Sequence, residues 1–317
     1  MIKHSLGALA LGIGAAYAHA ANPIVTDIFT ADPAALVDKG RVYLYVGHDE
    51  APLGGKDYVM NEWRVYSSCD MQRWTDHGSP LQYSTFEWAG RDAWAGDIVK
   101  RDGKFYFYST VDHKTVPGKS RGVAVSDSPT GPFVDARGTA LITNDMTKQS
   151  KIMWDDIDPG VFIDDDGQAW IYWGNTVLKY AKLKRSMTEL DGPIMSHDIK
   201  DFTEAPFVHK RGKTYYLTYS RFFPEETVYA TSTSPAGPWA FQGKIMDKNA
   251  GTKTIHQAIV DFNGKSYIFY HNAKLRGGGE YRRSVAVEEL HYEKNGRIKF
   301  VAQSAKGPKA NPSTGCM

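Results

Sequence analysis

Hydrophobic and polar positions along most of this chain follow one repeated phrase. A short apolar strand runs into a polar turn closed by glycine, and a second strand rich in aromatic residues follows. The phrase is plainest in IDPGVFIDDDGQAWIYW, residues 157–173. It returns as ADPAALVDKGRVYLY from Ala31, WAGDIVKRDGKFYFY from Trp94, TEAPFVHKRGKTYYLTY from Thr203 and IHQAIVDFNGKSYIFYH from Ile255. Alternation with a period of two marks strands, and a glycine at the tip supplies the backbone freedom a tight hairpin needs. Five hairpins of one kind, near the ~40–50-residue interval of an all-strand repeat, predict an all-β fold, a five-bladed β-propeller.

Further strands fit the same division. VAVSDSPTGPF from Val123 and YATSTSPAGPW from Tyr229 each read as an alternating strand, a Ser/Pro/Gly turn and an aromatic residue that opens an outer strand. WRVYSSCDMQRW from Trp63 is the version in blade one, and the one in blade three, from Tyr180, has diverged. The last blade ends in two strands around Asn295-Gly296. No amphipathic helix is predicted. Residues 22–30 have no repeat partner; they either complete the last blade or leave the first and last blades to pack directly.

Composition changes the picture mainly at the ends. Lys3 and His4 precede an apolar run of small residues, and Ala18-His19-Ala20 fits a cleavage site before Ala21, so residues 1–20 read as a secretory signal. The expected domains are that signal, a propeller over residues 21–303 and a flexible Gly/Pro/Ser-rich tail over 304–317. The mature protein is expected to be exported, to the periplasm or the medium. A formal charge of +2 gives no reason to expect nucleic acid or a membrane as partner. Cys69 and Cys316 could pair outside the cytoplasm, but two cysteines alone do not decide it. The many aromatic residues, 8 Trp, 18 Tyr and 14 Phe, suit strands and also a sugar site.

Candidate chemistry lies where the hairpins begin. In a propeller the innermost strands line a central channel, so residues at equivalent strand starts converge on one mouth. Asp32, Glu204 and His256 each stand eight residues before their turn glycine, and Asp158 stands nine before Gly167 because its acidic turn is one residue longer. Blade two differs, with Ala95 at that position, Trp94 beside it and Asp97 two residues further in. One acidic residue before a strand is ordinary turn chemistry. Three in register, joined by a histidine, bring like charges together at a cost the fold does not need, and so mark a functional site.

The motifs ADPA, IDPG, TEAP and IHQA, in this order over the whole mature chain, resemble glycoside hydrolase family 43. In blade two the family commonly has Trp-Ala-Pro where this chain has WAGD. The resemblance implies five-bladed propeller enzymes that cleave xylose- and arabinose-containing glycans with inversion, which needs a base to activate water and an acid to protonate the leaving oxygen. It assigns the base to Asp32, the acid to Glu204 and the tuning of that acid to Asp158. Glu204 should then have a raised pKa, and Asp32 should receive hydrogen bonds or sit near a cation. The resemblance also points to Trp94 as a wall of the sugar pocket and to Arg283, with Arg282 as a competing choice, as a glycone contact. It allows a Ca²⁺ ion in the channel, held by His256 and mostly by water. Among family members, the run from Thr30 through Glu50 most resembles single-domain β-xylosidases, several of which also release α-L-arabinofuranose. The expected activity is exo-acting hydrolysis of xylo-oligosaccharides or arabinoxylan fragments from plant cell walls. The alternatives are an endo-arabinanase on the same fold and a non-catalytic carbohydrate-binding propeller. Oligomeric state, including a homo-oligomer, is left open.

Overall fold

The structure, a computed structural model, describes residues 22–147, 152–249 and 251–316. The signal predicted over residues 1–20 lies outside them. Five antiparallel sheets follow one another along the chain. Blade one is Thr30–Asp38, Arg41–His48, Glu62–Ser68 and Thr75–Asp76, with Leu81–Gln82 also paired to the third strand. Blade two is Ala89–Arg101, Lys104–His113, Lys119–Ser126 and Val134–Asp135. Blade three is Gly160–Ile163, Ala169–Trp173, Leu178–Leu183 and Met195–His197. Blade four is Phe202–Arg211, Thr214–Arg221, Glu226–Ser232 and Ala240–Met246, and blade five is Gln257–Phe262, Lys265–Asn272 and Ser284–Leu290. The hairpin glycines behave as the sequence requires. Lys39-Gly40, Asp102-Gly103 and Asn263-Gly264 all have positive φ at both positions, the two-residue turn whose twist matches the flanking strands.

Alternating side chains from facing sheets form apolar cores between neighbouring blades. Tyr45, Trp63 and Phe107 pack between blades one and two, and Tyr172, Leu217 and Tyr219 between blades three and four. Blade five has three strands, and the amino-terminal segment supplies the missing edge. The Ile24 N–H donates to the Val285 carbonyl at 2.9 Å, and the Asn22 side chain exchanges hydrogen bonds of 3.0 Å with both backbone groups of Val287. Of the two modes of closure, the segment that completes the last blade is therefore the one adopted.

The tail differs from its expectation. The Asn311 and Ser313 N–H groups donate to the Asp70 and Cys69 carbonyls at 2.9 Å, and the Asn311 amide also reaches the Phe262 carbonyl in blade five. Cys69 and Cys316 form a disulfide with Cα atoms 5.7 Å apart. Residues 304–316 are thus a strap across the seam of the ring. A composition of Gly, Pro and Ser rules out a strand or a helix but leaves the backbone free to bond to other parts of the fold.

Candidate active site

At one mouth of the channel the inner strands do not begin regularly. The pairing of the first two strands slips between Ala31 and Ala34 in blade one, and on both sides of Glu204 in blade four. Asp32, Asp158 and Ala205 have φ of 51°, 59° and 56°, the left-handed region that non-glycine residues seldom enter. Such bulges re-aim side chains, and strained residues of this kind cluster at functional sites. Here they bring Asp32, Asp158 and Glu204 to the wall of one cavity of about 460 Å³, which Trp94 and Arg283 also line.

The carboxyls are held in different states. Burial would raise Asp32, but the Arg283 guanidinium, 3.0 Å from its Oδ1, holds it well below the usual carboxylate range. Arg283 is anchored from behind by Asp49 through Nε and Nη2, both at 2.9 Å. His271 is fully buried, and burial lowers its pKa. Its Nε2 faces the Thr254 carbonyl at 3.1 Å, so the neutral ring keeps its proton there and Nδ1 accepts from the Asp32 N–H at 3.3 Å.

Among the described residues no cation bonds to Glu204. Burial, then the negative charge of Asp158, push it up to about 8 against a 2.7 Å hydrogen bond from the Asn175 amide. Asp158 is fixed by the Ala205 N–H, which donates to its Oδ2 at 3.0 Å, so the residue next to Glu204 orients the Asp158 carboxylate. An ionised Asp32 can take a proton from water, and a carboxyl protonated up to about pH 8 can give one to a leaving oxygen.

The other expected residues fall as follows. Trp94 both lines the cavity and packs on the core between blades one and two, with the Lys119 ammonium 3.5 Å from its ring centroid on the far side. Arg283 faces the cavity, whereas Arg282 turns away to the carbonyls of Ala51 and Gly277. Asp97 lies deeper than the mouth and stitches blade two to blade three through the Val161 N–H at 2.7 Å. Burial raises it to about 7 despite this bond and that from the Ile98 N–H. His256 stands behind the cavity wall, with Nδ1 3.6 Å from Asp158. His271, Asp49, Asn175 and Glu225 had not been expected. Asp49, Asn175 and His271 lie at or just beyond the ends of the second strands, which antiparallel pairing returns to the mouth, and Glu225 directly precedes the third strand of blade four. His271 in fact comes back beside His256, one step past the Gln257–Tyr270 pair.

A channel that holds one carboxyl ionised and another protonated has the makings of an acid–base hydrolase, and the motifs narrow that class. The model of glycosyl hydrolases family 43 matches residues 20–298, and the chain belongs to that family. It is 32% identical to xylosidase/arabinosidase 43A of Humicola insolens over 87% of this chain and 98% of that protein. It is 33% identical to a xylosidase/arabinosidase of Bacteroides ovatus over 87% of this chain and 95% of that one. Among solved structures, a β-xylosidase/α-arabinofuranosidase from a compost microbial metagenome, in complex with xylotriose and in a calcium-free form, superposes with a TM-score of 0.79. It has 32% identity and covers 89% of this chain and 97% of its own.

The fit of a calcium ion can be tested on the donor set. Among the described residues no group of three or more His, Cys, Asp and Glu is placed to hold a metal. His256 would offer a nitrogen, whereas Ca²⁺ takes six to eight oxygens. Burial would lower the pKa of that ring, but the hydrogen bond and charge of Asp158 raise it. The described side chains therefore do not hold a calcium ion by themselves, and an ion here would rest on His256 with water completing its shell.

Proposed function

We propose that this protein is an exo-acting, inverting glycosidase that releases xylose, and also arabinofuranose, from xylo-oligosaccharides or arabinoxylan fragments. Asp32 removes a proton from water as the water attacks the anomeric carbon. Glu204 protonates the departing glycosidic oxygen, and Asp158 keeps Glu204 protonated and in place. The observation that carries this reading is that one small cavity holds a carboxyl stabilised as the anion and another stabilised as the acid. The relatives named as xylosidases and arabinosidases support the choice of pentose.

Trp94 and Tyr58, whose ring centroids are 6.0 Å apart, offer apolar faces for a sugar ring. Arg283 has Asp32 and Asp49 as standing partners, so its part in holding the glycone is secondary to fixing the charge on the base. We place the protein outside the cytoplasm, a reading supported by the disulfide. The deciding assay compares nitrophenyl β-D-xyloside with nitrophenyl α-L-arabinofuranoside and follows the first-formed anomer by NMR. Turnover of both with inversion is expected. Retention, or hydrolysis of polymeric arabinan alone, would overturn the proposal.

A further inference from the structure

Glu225 stands just ahead of the third strand of blade four and is 1% exposed. Its N–H donates to the Lys253 carbonyl at 2.7 Å, and its Oε2 accepts the Ile255 N–H at 2.8 Å, so the connection into blade five grips both its backbone and its side chain. Its Oε1 is equally buried, yet among the described residues no donor reaches it. Glu225 lines the same cavity as Glu204, and the two carboxyls are within hydrogen-bonding reach of each other. An ionised oxygen enclosed in this way with no donor would cost several kcal/mol, whereas a protonated one needs only an acceptor.

The charged and titratable groups around the pair are Glu204 and Asp158 from blades four and three, His256 from blade five, Tyr58 from blade one, and Lys253 and Glu280 at the rim. Asp32 and Arg283 satisfy each other across the cavity. The Lys253 ammonium lies over the Phe223 ring, 5.6 Å from its centroid, and Glu280 accepts the Lys253 N–H.

We propose that Glu225 is a positioning residue that stays protonated throughout the reaction and donates its carboxyl hydrogen to Glu204, an inference that rests on Glu204 as the general acid. When the glycosidic bond breaks, its electron pair leaves with the oxygen, which takes the Glu204 proton. Water bonds to the anomeric carbon and gives a proton to Asp32. Glu204 is left as an anion between two donors, the Asn175 amide and the Glu225 hydroxyl. Solvent then returns a proton to Glu204 and takes one from Asp32, and the Glu225 proton never leaves. Burial and the neighbouring carboxyls keep Glu225 well above the usual carboxyl range. Its hydrogen bond opposes those same forces at Glu204 and keeps that acid strong enough to act.

Two variants and two readouts test this. Infrared spectra of the free protein at about pH 9.5, above the range in which Glu204 ionises, should retain a protonated-carboxyl band that is absent in Glu225→Gln. Glutamine keeps a neutral donor, so the alkaline limb of kcat/KM should stay within about half a unit of wild type. Glu225→Met removes the donor. It should raise that limb by about one unit and slow xylobiose about tenfold, with little effect on a dinitrophenyl xyloside. A band that persists in Glu225→Gln, or a limb that falls by about a unit there, overturns the proposal, because Glu225 would then be ionised in the wild type. Should Glu225→Met fail to fold, the glutamine variant and the infrared band decide. If the band behaves as stated but no pentoside is hydrolysed, the reading of Glu204 as the acid fails and the location of the proton stands.

Discussion

The two sides of the cavity are made of the same material and arrive at opposite states. Blades one and five contribute Asp32 and Asp49 with Arg283 and His271. Blades three and four contribute Asp158, Glu204 and Glu225 with Asn175, and the ring of His256 stands 3.6 Å from Asp158. Burial pushes Asp32, Glu204 and Glu225 alike toward the neutral form. On the first side a guanidinium shared by two carboxylates overcomes that push; on the second, a neighbouring carboxylate adds to it. Enclosure in the channel therefore does not choose the acid and the base. The countercharges supplied by the next blade do.

The largest effects should come from removing the carboxyls proposed as base and acid, and they should differ in kind. Asp32→Ala should lower kcat/KM by about 10⁴-fold for any leaving group, since no other residue activates the water. Glu204→Ala should cost about 10³-fold on xylobiose but only about tenfold on a dinitrophenyl xyloside, whose leaving group needs no proton. Equal losses on both substrates in both variants would end the division of labour between the two sides.

Arg283→Met tests the first side directly. Without the guanidinium, the pKa of Asp32 rises, so the base is lost to protonation at a higher pH and the acid limb of kcat/KM moves up into the range of about 4–6. The same change strands Asp49, which is 2% exposed, and should destabilise the fold by about 3–5 kcal/mol. An acid limb that does not move in the folded variant would show that Arg283 is not what keeps Asp32 ionised.

The second side sets the alkaline limb and a slope in stability. Glu204 must carry its proton, so activity should fall as pH rises through about 8. Its folded pKa lies above the unfolded value, so between 4.5 and about 8 the native state binds more protons than the unfolded state and stability declines as pH rises. Asp97, raised from 3.8 to about 7, acts in the same direction, whereas the contribution of Asp32 is lost only as pH falls through the acid range. Glu204→Gln should therefore reduce the loss of Tm between about pH 5 and pH 8, measured by calorimetry. A slope unchanged from wild type would place the raised pKa elsewhere.

The two sides were not equally legible in the sequence. Asp32, Asp158 and Glu204 could be found because each sits at a fixed count from a turn glycine, and a hairpin converts such counts into positions along the channel. Their partners sit on the returning strands. His271 lies seven residues after Gly264, as His256 lies eight before it, so folding the count back across the same glycine would have paired them. Asn175 obeys this mirror rule too, eight residues after Gly167. Glu225 does not, because Phe222, Phe223 and Pro224 carry the chain beyond the strand before it turns back. No period marks a residue placed by a loop, and its partner Ile255 lies in another blade. The strap at residues 304–316 was missed for a related reason. Its bonds to Cys69, Asp70 and Phe262 are backbone bonds of an irregular segment, to which side-chain patterning is blind.

The smallest expected effect concerns metal removal, and it sharpens the comparison because a bound cation would act on one side only. A divalent ion at His256 would lie beside Asp158 and behind Glu204. It would favour the Glu204 anion, so the alkaline limb would stand below about 8 in the metal-loaded enzyme and climb when the ion is removed. The hydrogen bond and charge of Asp158 favour a protonated imidazole in that place, a charge that EDTA cannot extract. Dialysis against EDTA should then change kcat by less than about twofold and leave the alkaline limb within about 0.3 units, with added Ca²⁺ equally without effect. A rise of about one unit on chelation, reversed by Ca²⁺, would mean that a metal and not His256 supplies the positive charge on that side.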